Sequence, residues 1–192
     1  RDRDQSRRCF EMKAIGLVEF VSIAKGIEAA DAMLKASRVE LLDARPICPG
    51  KYIVLIFGEV SAVYNSVQAG NTIGGSAVVD DFVIPNVHPS VIKAVSCASD
   101  VKDLRALGVI ESFSIAALIV AADSAVKAGQ VDLIEIRLGT GIGGKSFVTL
   151  TGDVGDVTAS INVGKETCGE KGMLVESVII PSPHKSLTAH IL

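Results

Sequence analysis

The chain has 192 residues and a formal net charge of −3, with acidic and basic residues mixed along its length. This length fits one large or two small domains, and the mixed charge argues against a nucleic-acid-binding protein, which should carry a basic stripe. Apolar residues make up 48% of the chain, but the longest strongly apolar stretch, Ile115 to Ala122, is too short to span a membrane. Because aromatic residues are only 4%, small aliphatic side chains supply the apolar mass, which favours an obligate oligomer.

Residues 1–13 are predicted to be an N-terminal extension. They are mostly polar and lack the apolar segment of a signal peptide, and Met12 is the expected natural start. Without a secretion signal, the cysteines are expected to be free thiols in a reducing cytoplasm. They show no paired spacing: Cys9, Cys48, Cys97 and Cys168.

The first half of the chain begins with alternating strand and helix patterns. A strand is predicted at Ala14 to Phe20, and Ser22 is a good N-cap for the helix that follows. Strands are then predicted at Val39 to Ala44 and at Tyr52 to Phe57. Four apolar residues lie on one face of the first helix: Ile23, Ile27, Ala30 and Leu34.

A second helix is predicted at Val60 to Ala69, followed by a glycine-rich turn at Gly70 to Gly75. A strand at Val78 to Ile84, a short helix at Pro89 to Val95 and a polar linker at residues 96–105 complete the half. The order β-α-β-β-α-β predicts an α/β (α+β) fold with helices on a sheet that contains antiparallel strands. The inward residues of the second helix are predicted to be Val60, Val63, Tyr64 and Val67.

The second half of the chain repeats the first. Residues 106–137 align with residues 14–45 without a gap, from Ala14 and Ala106 through Arg45 and Arg137. The repeat predicts two domains, residues 14–95 and residues 106–192. Each is too small for a comfortable core, so each would gain stability by packing on its twin or on another chain.

The two halves differ most in one loop. After Arg45 the first half reads Pro46-Ile-Cys-Pro-Gly-Lys51, whereas the second reads Leu138 to Lys145 after Arg137 and is two residues longer. Because the halves agree on both sides of this loop, the loop is expected to carry the specialised role.

Three separated motifs recur in order in both halves: Ala14 to Glu19, Asp31 to Ala36, and the Ile-Pro-x-x-His of Ile84 to His88. Together they resemble the shell-protein domain of bacterial microcompartments (BMC). The resemblance implies two tandem ferredoxin-like domains that form a flat, pseudo-hexameric homotrimer. Such trimers would tile with other shell proteins into a microcompartment shell in the cytoplasm, as structural proteins rather than enzymes.

The resemblance also implies residue roles. Lys35 and Lys127 would lie at the tile edges, and Cys48 resembles the cysteine of the family branch that holds a [4Fe–4S] cluster in its pore. Three chains around one axis would supply three thiolates to a cluster that needs several. The cluster would move electrons across the shell or to redox enzymes inside it. The implied pore-loop residues are Ile47, Pro49, Gly50, Gly139, Thr140, Gly141, Ile142, Gly143 and Gly144.

Other interpretations stay open at this point. A shell tile with an empty pore would be a metabolite conduit with Cys48 as a free thiol, and a ligand-binding signalling trimer would share the element order. Gly139 to Ser146 matches the P-loop pattern, but a P-loop must open a helix, and residues 147–151 are predicted to form a strand. Nucleotide hydrolysis is therefore not expected. His88 and His184 are expected to be structural residues at helix starts.

Overall fold

The same succession of elements occurs twice along the chain. The structure, a computed structural model, describes residues 13–139, 141–170 and 172–192. Cys9, Met12 and Thr140 lie outside the described residues, and so does nearly all of the predicted N-terminal extension. Two compact units divide between Val87 and His88.

The described part of the first unit contains four strands and two α-helices. Its elements are β1 (Lys13–Phe20), α1 (Ile23–Ala36), β2 (Glu40–Ile47), β3 (Lys51–Glu59), α2 (Val60–Gly74), a 3₁₀ turn (Gly75–Ala77) and β4 (Val78–Pro85). All strand pairs are antiparallel, in the order β2-β3-β1-β4. The predicted β-α-β-β-α-β order is confirmed.

The second unit repeats this arrangement and contains two further short helices. Its elements are α3 (Pro89–Val95), β5 (Ala106–Ser112), α4 (Ile115–Ala128), β6 (Val131–Leu138), β7 (Ser146–Gly152), α5 (Val154–Glu170), β8 (Leu174–Ile180) and α6 (Lys185–Ile191). Its sheet has the equivalent order β6-β7-β5-β8. The predicted domain limits of 14–95 and 106–192 stay predictions, while α3 packs on β6 and α4 within the second unit.

Central strands and small helical residues form the core of the first unit. Every residue of β1 from Ala14 to Phe20 is buried. Helix α1 begins at the N-cap Ser22, whose side chain accepts a hydrogen bond from the Lys25 backbone N–H, as predicted. Its buried residues are mostly small: Gly26, Ala29, Ala30 and Met33.

Two details of the predicted helices are wrong. Helix α2 continues to Gly74, because Gly70 and Gly74 lie buried against Met33 and Phe20 instead of forming a turn. Tyr64 is exposed rather than inward, although Val63 and Val67 are buried. On α1 the predicted apolar face is largely in solvent, since Ile23, Ile27 and Leu34 are exposed.

Gly26 allows α1 to lie directly on the sheet. A Cβ atom built at Gly26 would stand 2.6 Å from Cδ1 and 2.7 Å from Cβ of Tyr52. Both distances are shorter than a van der Waals contact, so any side chain would push α1 away from β3.

We therefore expect Gly26→Ala to destabilise the first unit by up to about 2 kcal/mol, because overpacking costs about 1–3 kcal/mol and the gain in helix propensity offsets only roughly 1 kcal/mol of it. Thermal denaturation followed by circular dichroism measures the change. Gly155→Ala is the matched control, because nothing lies within 4 Å of a Cβ at Gly155 in α5. Equal melting temperatures for the two variants would contradict the close approach.

Candidate functional site: the two hairpin turns

The turn between β2 and β3 presents Cys48. Ile47 and Lys51 pair at the end of the ladder, and the Gly50 backbone N–H donates a 2.9 Å hydrogen bond to the Ile47 carbonyl oxygen. Ile47 is buried, Cys48 is half-buried, and Pro49 and Gly50 are exposed. Gly50 has a φ of +83°, a left-handed conformation that favours glycine. The cysteine therefore stands at the tip of a tight turn whose base is held by the sheet.

A charged pair lies beside this turn. The Lys51 ammonium is 2.8 Å from Oε1 of Glu19, whose side chain is only 5% exposed, whereas the Lys51 side chain is 32% exposed. Glu19 lies on β1, directly across from β3. The pair links Lys51, two residues after Pro49, to the central strand β1. It was not predicted from the sequence.

The turn between β6 and β7 has a different backbone. Left-handed φ values occur at Gly139, Gly141, Gly143 and Gly144. The Gly139 backbone N–H donates to the Lys145 carbonyl oxygen at 3.2 Å, which closes the turn. Strand β7 begins at Ser146, so no helix follows the glycines and the P-loop interpretation stays rejected. Lys145 and Glu111 are the equivalents of Lys51 and Glu19, and they form the same ion pair. The Glu111 side chain, however, is 30% exposed.

The three described cysteines differ in environment. Cys97 is exposed, Cys48 is half-buried and Cys168 is fully buried in α5. Burial raises the pKa of the Cys168 thiol, and a hydrogen bond with Ser112 offsets this only in part. A thiol held protonated in a core is a poor metal ligand, because the thiolate is the ligating form. Of these three cysteines, Cys48 is the one that lies in a predicted pore turn.

Within the described part of one chain, no group of three or more His, Cys, Asp or Glu side chains could hold a metal ion. Cys48 of one chain therefore needs ligands from elsewhere to hold a cluster. The donor chemistry fits, because thiolates are the ligands of iron–sulfur clusters. The surroundings fit as well, since a Cβ at the neighbouring Gly50 would meet nothing within 4 Å and the turn is open on that side.

The predicted edge lysines have equivalent partners in the two units. Lys35 pairs with Asp31 at 2.6 Å, with both side chains exposed, and Lys127 pairs with Asp123 at 2.5 Å. Each lysine lies in the last turn of its helix, where the helix dipole favours a cation.

The two predicted structural histidines start helices. The His88 side chain accepts a hydrogen bond from the Ser90 backbone N–H, and the His184 side chain accepts one from that of Ser186. They are the N-caps of α3 and α6, as expected.

Comparison with known proteins defines the class. The BMC domain matches residues 14–87 and 106–183, so the chain belongs to the family of proteins with tandem BMC domains. It is 46% identical over 175 residues to the bacterial microcompartment shell protein PduT of Citrobacter freundii, covering 91% of this chain and 95% of that protein. It is a structural shell protein rather than an enzyme.

Further relatives agree with this class. The crystal structure of a microcompartment protein from Desulfitobacterium hafniense DCB is 62% identical, with a TM-score of 0.89 over 93% of this chain and 99% of that one. A fused permuted hexameric shell protein from the RMM microcompartment shares the fold at 20% identity, with a TM-score of 0.59 over 82% and 84% of the two chains. The carboxysome shell protein CcmK2 of Synechococcus elongatus is 35% identical over 82 residues, covering 41% of this chain and 80% of that protein.

In the described part of the chain, no helix is both long and apolar enough to cross a membrane.

Glu19 is more deeply buried than Glu111, so loss of its lysine partner should destabilise the first unit more than the equivalent loss destabilises the second. Lys51→Met should destabilise its unit by about 1–3 kcal/mol, because it leaves a buried carboxylate without its cation, and the partial exposure of Lys51 reduces the cost from that of a fully buried pair. Lys145→Met should cost less than about 1 kcal/mol, because water can reach Glu111. Melting temperatures of the two variants make the comparison. Equal losses would show that the burial of Glu19 is not the cause.

Proposed function

We propose that the chain forms a homotrimeric shell tile in which the Cys48 turns of three chains meet at the central pore and bind one [4Fe–4S] cluster. The observation that carries the proposal is the position of Cys48 at the tip of a hairpin turn that is open at Gly50. The tile would lie in a microcompartment shell in the bacterial cytoplasm, beside other shell proteins.

One thiol per chain accounts for the stoichiometry. A [4Fe–4S] cluster takes thiolate ligands at its irons, and the described residues of one chain provide no group of ligands. A threefold axis turns one Cys48 into three ligands and leaves one iron for a different ligand. When bound, the cluster would carry single electrons across the shell or to redox enzymes inside it.

The residues around Cys48 would hold the thiol in place. The hydrogen bond from Gly50 to Ile47 closes the turn, and the pairing of Ile47 with Lys51 continues it into the sheet. The Glu19 carboxylate lies against the ammonium of Lys51, so this nearby cation is already neutralised. The turn would therefore present the sulfur atom with little reorganisation when three chains come together.

A second candidate function is passage of a small polar metabolite through a pore without a cluster. The β6–β7 turn favours it, because four glycines with left-handed φ leave backbone amide groups uncovered by side chains. Cys48 would then be a free thiol at the pore.

Iron and acid-labile sulfide, measured per chain after anaerobic purification, test the proposal. We expect about four irons per three chains in the parent protein and none in Cys48→Ser, because no described group replaces the missing thiolates. Cys97→Ser is the matched control and should keep the iron, because Cys97 lies outside both turns. A parent protein without iron after reconstitution would favour the metabolite pore.

Shell tiles must also meet at their edges, and we propose Lys35 and Lys127 for these contacts. Lys35→Ala should leave the fold intact, because Asp31 is exposed and becomes solvated, but should reduce two-dimensional arrays seen by electron microscopy. Lys25→Ala is the matched control, an exposed lysine on the same helix that also pairs with an acidic residue, Glu28. Lys127 is less suited to this test, since Asp123 is nearly buried. Normal arrays in Lys35→Ala would remove the edge role.

A further inference from the structure

The turn that carries Cys48 begins and ends beside an ion pair. Ile47 and Lys51 face each other at the end of the β2–β3 ladder, so Lys51 follows Cys48 by three residues at the base of the same turn. Its ammonium group lies 2.8 Å from Oε1 of Glu19 on β1. One cation and one anion are therefore fixed to the turn that presents the proposed cluster ligand.

Water has little access to the acidic member of this pair. The Glu19 side chain is nearly buried, while that of Lys51 is about one third exposed. Ile53, which is in register with Glu19 on β3, is fully buried, so an apolar side chain lies alongside the carboxylate. Charges in such surroundings act over longer distances than charges in water, because little solvent or salt screens them. A change of charge at this pair is therefore felt at the tip of the turn.

A second carboxylate lies near the pair. Asp80 on β4 is in register with Glu19, and residues in register project from the same face of a sheet. Asp80 is half-buried. Of these three side chains Lys51 alone is cationic, so the two carboxylates together more than offset its charge.

We propose that Glu19 sets the reduction potential at the Cys48 site by cancelling the charge of Lys51. Three thiolates would give this site a net negative charge, and an added electron increases that charge. A free ammonium group at the base of the turn would favour the reduced form and raise the potential. Glu19 opposes this effect, so the potential is held lower than the same turn with a free lysine would give. A threefold axis would bring three such pairs to one site, where their effects add.

This inference rests on the proposed cluster and concerns its regulation rather than its presence. The same ion pair also stabilises the hairpin, and a purely structural role would change the melting temperature or the iron content. It would not give a potential that rises when a negative charge is removed and falls when a positive charge is removed. The reduction potential therefore separates the electrostatic role of Glu19 from its structural role.

The test is a redox titration of the iron-loaded full chain, in which dithionite supplies one electron per cluster and electron paramagnetic resonance measures the reduced form. Glu19→Gln removes the carboxylate charge and nearly keeps the side-chain shape. At a fixed solution potential it should increase the ratio of reduced to oxidised cluster by about tenfold, a rise of about 59 mV for a one-electron couple. Lys51→Met should shift the ratio by a similar factor in the opposite direction. The double variant should return it to the parent value.

Glu28→Gln is the matched control, because it also releases a lysine, Lys25, but from a pair on α1 whose side chains are both exposed. Its ratio should stay within about twofold of the parent, since water screens that charge. An unchanged potential in Glu19→Gln, a shift in the same direction as in Lys51→Met, or loss of its iron overturns the inference alone. If Lys51→Met does not fold, Glu19→Gln and the double variant, which leaves no unpaired buried charge, still decide. A parent protein that binds no iron overturns the proposed cluster and this inference together.

Discussion

The close approach of helices to strands at glycine is the constraint on which both units depend. In the first unit, a Cβ at Gly16 on β1 would meet Val63 of α2 at 2.6 Å, and one at Gly74 on α2 would meet Phe20 of β1 at 2.5 Å. In the second unit, a Cβ at Gly108 on β5 would meet Ile161 of α5 at 2.8 Å, and one at Gly164 on α5 would meet Ile110 of β5 at 2.5 Å. With few aromatic side chains available, the protein builds its core by bringing backbones together rather than by filling space with large groups. The position of the β2–β3 turn follows, because Gly26 seats α1 on Tyr52, and Tyr52 pairs with Pro46 just before Cys48.

The same constraint explains which parts of the fold could be predicted. The strands and their order follow from apolar runs such as Tyr52 to Phe57, and the repeat doubles the signal. The extent of α2 could not be predicted, because a glycine that permits close packing looks identical in sequence to one that breaks a helix. The buried side of α1 was missed for a related reason. Its small residues carry little apolar signal, whereas the large residues Ile23, Ile27 and Leu34 lie on the outside.

The loop of the candidate site could be predicted because the two halves differ there. The ion pair beside it could not, because both halves share it. The loop around Cys48 was identified by its contrast with the glycine-rich loop of the second half. The pair of Glu19 and Lys51 is separated by 32 residues in sequence, so no local pattern joins them. A faint signal existed, since an acidic residue interrupts the apolar strand at Glu19 and again at Glu111. Burying a carboxylate is costly unless it is paired, so an acidic residue in a central strand predicts a cationic side chain on the neighbouring strand.

Duplication gives one chain two versions of each surface, and equivalent surfaces of the two units differ in burial. Helix α3 packs on β6 and α4 within the second unit, whereas its equivalent α6 keeps Leu187 in solvent. One apolar face is thus covered within the chain, while its equivalent on α1 and β2 remains open. Monomeric proteins seldom leave such a patch in water, because covering the exposed half of each of these Ile and Leu side chains contributes about 1 kcal/mol. The uncovered face and the uncovered helix therefore favour burial against another shell protein in an oligomeric tile.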